Sequence, residues 1–117
     1  MMRKPLLPIA AVVLALTAGC NYTKQIVYID INNRSGQTMR NIEVTHPSGS
    51  YGVPELKDGQ FHQYTAPVGS PCTFSLDFQD QAGKKYSANY DAGVKCPVEI
   101  ELRIGEQMRV EGRTVRP

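Results

Sequence analysis

Thr73-Phe74-Ser75-Leu76-Asp77-Phe78-Gln79 sets an apolar side chain at every second position. A strand turns successive side chains to opposite faces, so Phe74, Leu76 and Phe78 line a buried face while Thr73, Ser75, Asp77 and Gln79 meet water. The same period returns on both sides of this stretch. Val98, Ile100, Leu102 and Ile104 alternate with Glu99, Glu101 and Arg103. Val27, Ile29 and Ile31 alternate with Tyr28, Asp30 and Asn32, and Ile42 and Val44 with Asn41, Glu43 and Thr45. Fainter alternation predicts strands over 60–66, 85–91 and 107–115. Nothing after Cys20 carries a helical stripe.

Glycine punctuates these runs at Gly36, Gly49, Gly59, Gly69, Gly83, Gly93 and Gly105, with gaps of 13, 10, 10, 14, 10 and 12 residues. Short strands at that spacing belong to an all-β fold. The expectation is a small two-layer antiparallel sandwich over 26–117, of immunoglobulin-like or transthyretin-like architecture, with seven or eight strands and the strand order open. A small closed barrel is the other solution. Asp80-Gln81-Ala82-Gly83 reads as a hairpin with glycine in the left-handed position, and Gly105-Glu106 as a two-residue turn. Antibody-type marks are missing: the chain has no Trp, and Val94 stands two places before Cys96, where those domains have Tyr.

Ahead of the strands, Arg3 and Lys4 precede an apolar run of 11 residues, Leu6 to Leu16, followed by small residues up to Cys20. That order is a secretory signal. A membrane-crossing helix needs about 20 apolar residues, so the run is no span. Leu16-Thr17-Ala18-Gly19-Cys20 resembles the lipobox of bacterial lipoproteins, with Thr17 where the pattern's Leu is usual and Leu16 one place further back. The resemblance covers the first twenty residues only. It implies that residues 1–19 are removed and that the Cys20 thiol is acylated, palmitate being among the chains. Each buried CH₂ contributes about 0.8 kcal/mol, so such an anchor is effectively permanent. Asn21, where Asp would mark inner-membrane retention, implies the periplasmic leaflet of the outer membrane. Residues 20–25 are then a tether: the five from Asn21 to Gln25 reach about 18 Å at most, which holds the domain against the bilayer.

Cysteine parity points the same way. Of three cysteines, acylation of Cys20 leaves Cys72 and Cys96 as one pair in an oxidising compartment, where a disulfide is expected. Such a bridge needs Cα atoms about 4.4–6.8 Å apart, so it must join strand-entry loops or directly paired strands. Charge is neutral once the signal is discounted: removing Arg3 and Lys4 from 13 basic residues leaves 11, against 11 acidic ones. There is no electrostatic case for nucleic acid.

Candidate chemistry is sparse. Glu99 and Glu101 share a strand face about 6.6 Å apart, a spacing superficially like that of a glycosidase pair, and are expected to form a solvated face with Arg103. His46, in an expected turn, and His62, in a weak strand, would need a carboxylate such as Asp58 to hold a metal, and read as surface histidines. No G-x-S-x-G is present, and Asp77, Asp80 and Asp91 lack the spacing of a calcium loop. No catalytic residue, metal or cofactor is therefore expected. Candidate partner contacts are Tyr28, outward between Val27 and Ile29, and Arg109 and Arg113, which share a strand face with Glu111 and form a charged edge or a weakly basic strip. The functional expectation is a membrane-anchored periplasmic lipoprotein, a non-catalytic protein-binding or structural module of the cell envelope whose partner is an envelope protein. The alternative is an immunity-type inhibitor that neutralises a toxin or enzyme directed at the envelope.

Overall fold

A computed structural model describes residues 24–117. The signal segment, Cys20 and the tether up to Thr23 lie outside the described residues. Eight strands follow in order: β1 Gln25–Asn33, β2 Met39–His46, β3 Gly49–Leu56, β4 Phe61–Val68, β5 Thr73–Gln79, β6 Lys85–Asp91, β7 Glu99–Ile104 and β8 Val110–Arg116. They form two four-stranded sheets packed as a sandwich, ordered β4-β1-β7-β8 and β3-β2-β5-β6. The alternation dictates which residues meet between the sheets. Val27, Ile29 and Ile31 from β1, Phe74, Leu76 and Phe78 from β5, and Ile100, Leu102 and Ile104 from β7 are all buried.

The expected sandwich is correct, with one pair of opposite sense. β1 and β7 run parallel, Tyr28 opposite Glu99 and Asp30 opposite Glu101. β6 ends beside Cys72, so the chain re-enters the first sheet at the end where β1 starts. The bridge closes that end. Cys72 precedes β5, Cys96 follows β6, β5 and β6 are directly paired, and the two Cα atoms lie 5.0 Å apart. Closing a 24-residue separation contributes about 3–4 kcal/mol by the chain-entropy argument.

The opposite end is held by a residue that the alternation leaves unremarked. Asn33 is fully buried, and its amide donates to the carbonyls of Gln37 and Leu56, each at 2.8 Å, while its Oδ1 accepts from the Ser35 backbone and hydroxyl. The β5–β6 hairpin is as expected: Gly83 takes φ 88°, and Asp80 accepts from Ala82 N and Lys84 N, each at 2.9 Å. Those backbone bonds, with one from the Tyr86 hydroxyl, hold the Asp80 carboxyl below its ordinary range.

One strand goes unread in the sequence, and two local expectations need correction. β3 is a full strand, hidden in the sequence by Gly52 and Pro54, which an edge strand tolerates. Gly105-Glu106 is not a two-residue turn. The connection is a 3₁₀ turn over Glu106–Met108, with Gly105 N donating to Arg109 O at 2.7 Å, so β8 begins at Val110 and Arg109 stays outside it. His46 is the last residue of β2 rather than part of a turn, and it is buried against Phe74.

The two open seams of the sandwich are closed by aromatic rings. Between β3 and β4, Tyr51 stacks on Tyr64 at 3.8 Å and shares a 2.8 Å hydrogen bond with His62. Between β6 and β8, the Tyr90 ring lies where Gly112 has no side chain, and a Cβ there would overlap the ring.

Candidate recognition surface

The outward residues of the β4-β1-β7-β8 sheet form one connected polar lattice. Because the β1–β7 register is uninterrupted, the outward set Tyr28, Asp30 and Asn32 lies directly beside Glu99, Glu101 and Arg103. Antiparallel pairing adds Arg113 opposite Glu101 and Arg116 opposite Glu99. On the far side β4 places Gln63 opposite Asp30 and Phe61 opposite Asn32.

Glu101 is the hub. It is only 8% exposed, which overturns its expected place on a solvated face, and it accepts from Arg113 Nε at 2.7 Å and Asn32 Nδ2 at 2.9 Å. Arg103 lies 3.7 Å away. Burial pushes the Glu101 carboxyl up, but the Arg113 and Asn32 hydrogen bonds and the two arginine charges outweigh it and hold the group below its ordinary range. Glu99 accepts from Arg116 Nε at 2.7 Å and from Gln63 at 3.3 Å. A hydrogen bond from Asp30, followed by the Arg116 bond, keeps it low as well. The Arg116 guanidinium in turn lies over the Tyr28 ring, 5.1 Å from its centre.

Asp30 behaves oppositely. Burial first, then the bond to Glu99, raises its carboxyl to about 6, so below that pH it carries the proton it shares with Glu99. Gln63 Nε2 donates to Asp30 Oδ1 at 2.7 Å. Gln63 thus donates to both Asp30 and Glu99, and both expected glycosidase-like carboxylates, Glu99 and Glu101, are engaged by arginines.

Of the three candidate contacts, the structure brings two together. Tyr28, 38% exposed, and Arg113 both belong to this lattice. Arg109 lies at the other end of the sandwich from Gln25, just after the 3₁₀ turn, where it is exposed. Exposed Ile26 and Phe61 flank the lattice at opposite ends, and their apolar character gave no hint of this position beforehand.

His46, His62 and Asp58 are not brought together. His46 Nδ1 accepts from Ser48 N, His62 is tied to Tyr51, and Asp58 accepts from Gly36 N. Among the described residues no group of three or more His, Cys, Asp or Glu is placed to hold a metal ion. The other sheet's outer side carries an open depression of about 580 Å³ lined by Thr45, Thr73, Ser75, Asn89 and Asp91, without a comparable ion-pair lattice.

Comparisons with known proteins bear on the fold alone. A protein from Eubacterium rectale, solved by NMR, superposes with a TM-score of 0.63 over 80% of this chain and 92% of its own, at 18% identity. No protein-family model matches the chain. No curated protein matches it either.

Proposed function

We propose that this chain is a lipid-anchored periplasmic protein of the bacterial envelope, held by acyl chains on Cys20, that binds a protein partner through the outer face of the β4-β1-β7-β8 sheet without catalysing a reaction. One observation carries the reading: an arginine–carboxylate lattice ties the outward side chains of that face to one another, with the apolar groups of Ile26, Tyr28 and Phe61 exposed around it. A surface organised before contact loses little side-chain freedom on binding, and exposed aromatics supply the apolar anchors of recognition. The anchor is consistent with the same geometry. β1 starts at the disulfide-bridged end, where Lys24, Lys95 and exposed Val94 gather, a combination suited to an anionic bilayer surface.

Two measurements test this reading. Mass spectrometry of the mature protein is expected to find an acylated Cys20 as first residue, and an unmodified thiol there would remove the anchor. Photo-crosslinking in living cells from position 28 is expected to trap one envelope protein, while the same probe at Ser50 on β3 traps none. Equal capture from both positions, or none from 28, would remove the assignment of this face.

A further inference from the structure

We infer that β6 is a homodimer interface, pairing antiparallel with β6 of a second copy about a twofold axis through Ala88, so that two four-stranded sheets become one of eight. β6 is the outermost strand of its sheet. The direction of its backbone groups follows from the hydrogen bonds at its two ends. Asp80 N donates to Lys84 O at 2.9 Å, and Ala92 N donates to Cys72 O at 2.8 Å. Between these points the β5–β6 register is unbroken. Backbone groups alternate sides along a strand, so even-numbered residues of β6 turn theirs toward β5. Those of Lys85, Ser87, Asn89 and Asp91 therefore face the open edge.

The side chains make this edge complementary to itself. Lys85-Tyr86-Ser87-Ala88-Asn89-Tyr90-Asp91 reads as a chemical palindrome about Ala88. In an antiparallel pair centred there, Lys85 faces Asp91 of the other copy, Tyr86 faces Tyr90, Ser87 faces Asn89, and Ala88 faces itself. Every pair occurs twice, as a twofold axis requires. Opposite charges, aromatic pairs and hydroxyl–amide pairs are the combinations that stabilise facing strands. The parity agrees as well. The edge-facing residues Ser87 and Asn89, and Lys85 and Asp91, fall at hydrogen-bonded positions, giving about eight intermolecular backbone bonds. Ala88, the smallest side chain of the strand, falls at the axis, where non-hydrogen-bonded Cα atoms approach to about 4.5 Å. Lys85, Ser87, Asn89 and Asp91 are exposed, and the Ser75 hydroxyl donates to Asn89 Oδ1, which leaves the Asn89 amide hydrogens for the facing Ser87. Two other edges are less suited, since β3 and β4 contain Pro54 and Pro67.

The test uses the full chain. Sedimentation equilibrium in a density-matched detergent is expected to show reversible dimers, and K85D, which sets a second carboxylate against Asp91 at both ends of the pair, is expected to raise the dissociation constant about thirtyfold. K85D/D91K restores opposite charges and is expected to restore the dimer. An independent readout is Ala88→Cys in the otherwise unaltered chain: mild oxidation is expected to give a disulfide-linked dimer, because the axis brings the two Cα atoms within the span of a disulfide. Cysteine at Ser50 should give none. A protein that stays monomeric, a dimer indifferent to K85D, a double variant that folds but fails to dimerise, or position 88 linking no better than position 50 would each overturn the assignment. Because none of these readouts involves Tyr28 or Cys20, failure here is distinguishable from failure of the proposed function.

Discussion

Glu101 and Ser75 occupy matching places in the two sheets. Each points outward from an inner strand, β7 or β5, with paired strands on both sides. Around Glu101 the neighbours are charged and long, and they close over the carboxylate until it is 8% exposed. Around Ser75 they are small, and its hydroxyl makes one 2.9 Å bond to Asn89. The ion pair found on that second face, Arg40 with Glu55, is 3.8 Å long with both side chains about half exposed. Identical alternation thus yields one face whose polar groups depend on each other and one whose groups act singly. Long side chains with complementary charge can reach across strands, and short ones satisfy themselves locally.

The strongest way to break this contrast is to remove the hub. Glu101→Ala strands the Asn32 amide and frees Arg113, and hydrogen bonds to charged groups contribute about 1.5–3 kcal/mol each. The expected cost is about 2–3 kcal/mol in urea unfolding, with sharper loss of order at Asn32 and Arg113 than elsewhere. A cost no larger than that of a change at Ser75 would mean the lattice is decoration on a sheet held by its core.

A pH experiment sharpens the contrast from within the lattice. The Asp30 carboxyl titrates near 6 in the folded chain against 3.8 for its ordinary value, so the folded state binds that proton more tightly. Its contribution is fully present below pH 3.8 and is lost as pH rises through 6. Glu99 and Glu101 have the opposite sign: their folded values are depressed, so their contribution is present above 4.5 and fades as pH falls. Asp30→Asn reproduces the protonated form, with Asn donating to Glu99 and accepting from Gln63. Discounted for solvent screening at a partly exposed site, the variant is expected to be about 1 kcal/mol more stable than the parent at pH 8 and equal to it at pH 4. NMR titration of the Asp30 carboxyl carbon locates the midpoint. A midpoint near 4 would dissolve the shared-proton pair.

A smaller effect is expected at the lattice rim. Arg116→Ala removes the guanidinium from the Tyr28 ring, a contact of about 0.5 kcal/mol at an exposed site. Tyr28 ring-proton shifts should move while those of Tyr86 and Tyr90 stay. If Tyr28 does not respond, the stacked arrangement at the proposed contact residue is not populated in solution.

How far the two faces can be read from the chain differs in the same way. Period two is enough to place Phe74, Leu76 and Phe78 inside and Tyr28, Asp30, Glu99 and Glu101 outside, because inside and outside are set by each strand alone. The adjacency of β1 and β7 is not legible, since strands about 70 residues apart pair according to the path of the whole chain, not local pattern. Hence the pattern leaves Glu101 on a solvated face and gives no sign of the Asp30–Glu99 contact. β3 escapes because Gly52 and Pro54 interrupt its alternation, leaving Val53 and Leu56 too little context. Cys72 and Cys96 are legible as a staple because only cysteine does that chemistry. Asn33 does the equivalent work at the other end with a side chain that reads as an ordinary polar residue, and only its buried carbonyl partners reveal it.

Ser75→Ala is the control on which the comparison rests, and it should do almost nothing. It deletes one hydroxyl on a partly exposed strand and returns Asn89 to solvent, where water replaces the lost partner. Such exchanges leave little net change, so stability is expected to stay within about 0.5 kcal/mol of the parent. The reason lies in reach: within the chain no third residue is bonded to the Ser75–Asn89 pair, whereas Asn32, Arg103 and Arg113 all depend on Glu101. The double variant with Glu101→Ala should therefore be additive, since the two sites belong to opposite sheets with the core between them and share no partner. Coupling above about 0.5 kcal/mol between them would show that the faces communicate through the sandwich and are not independent surfaces.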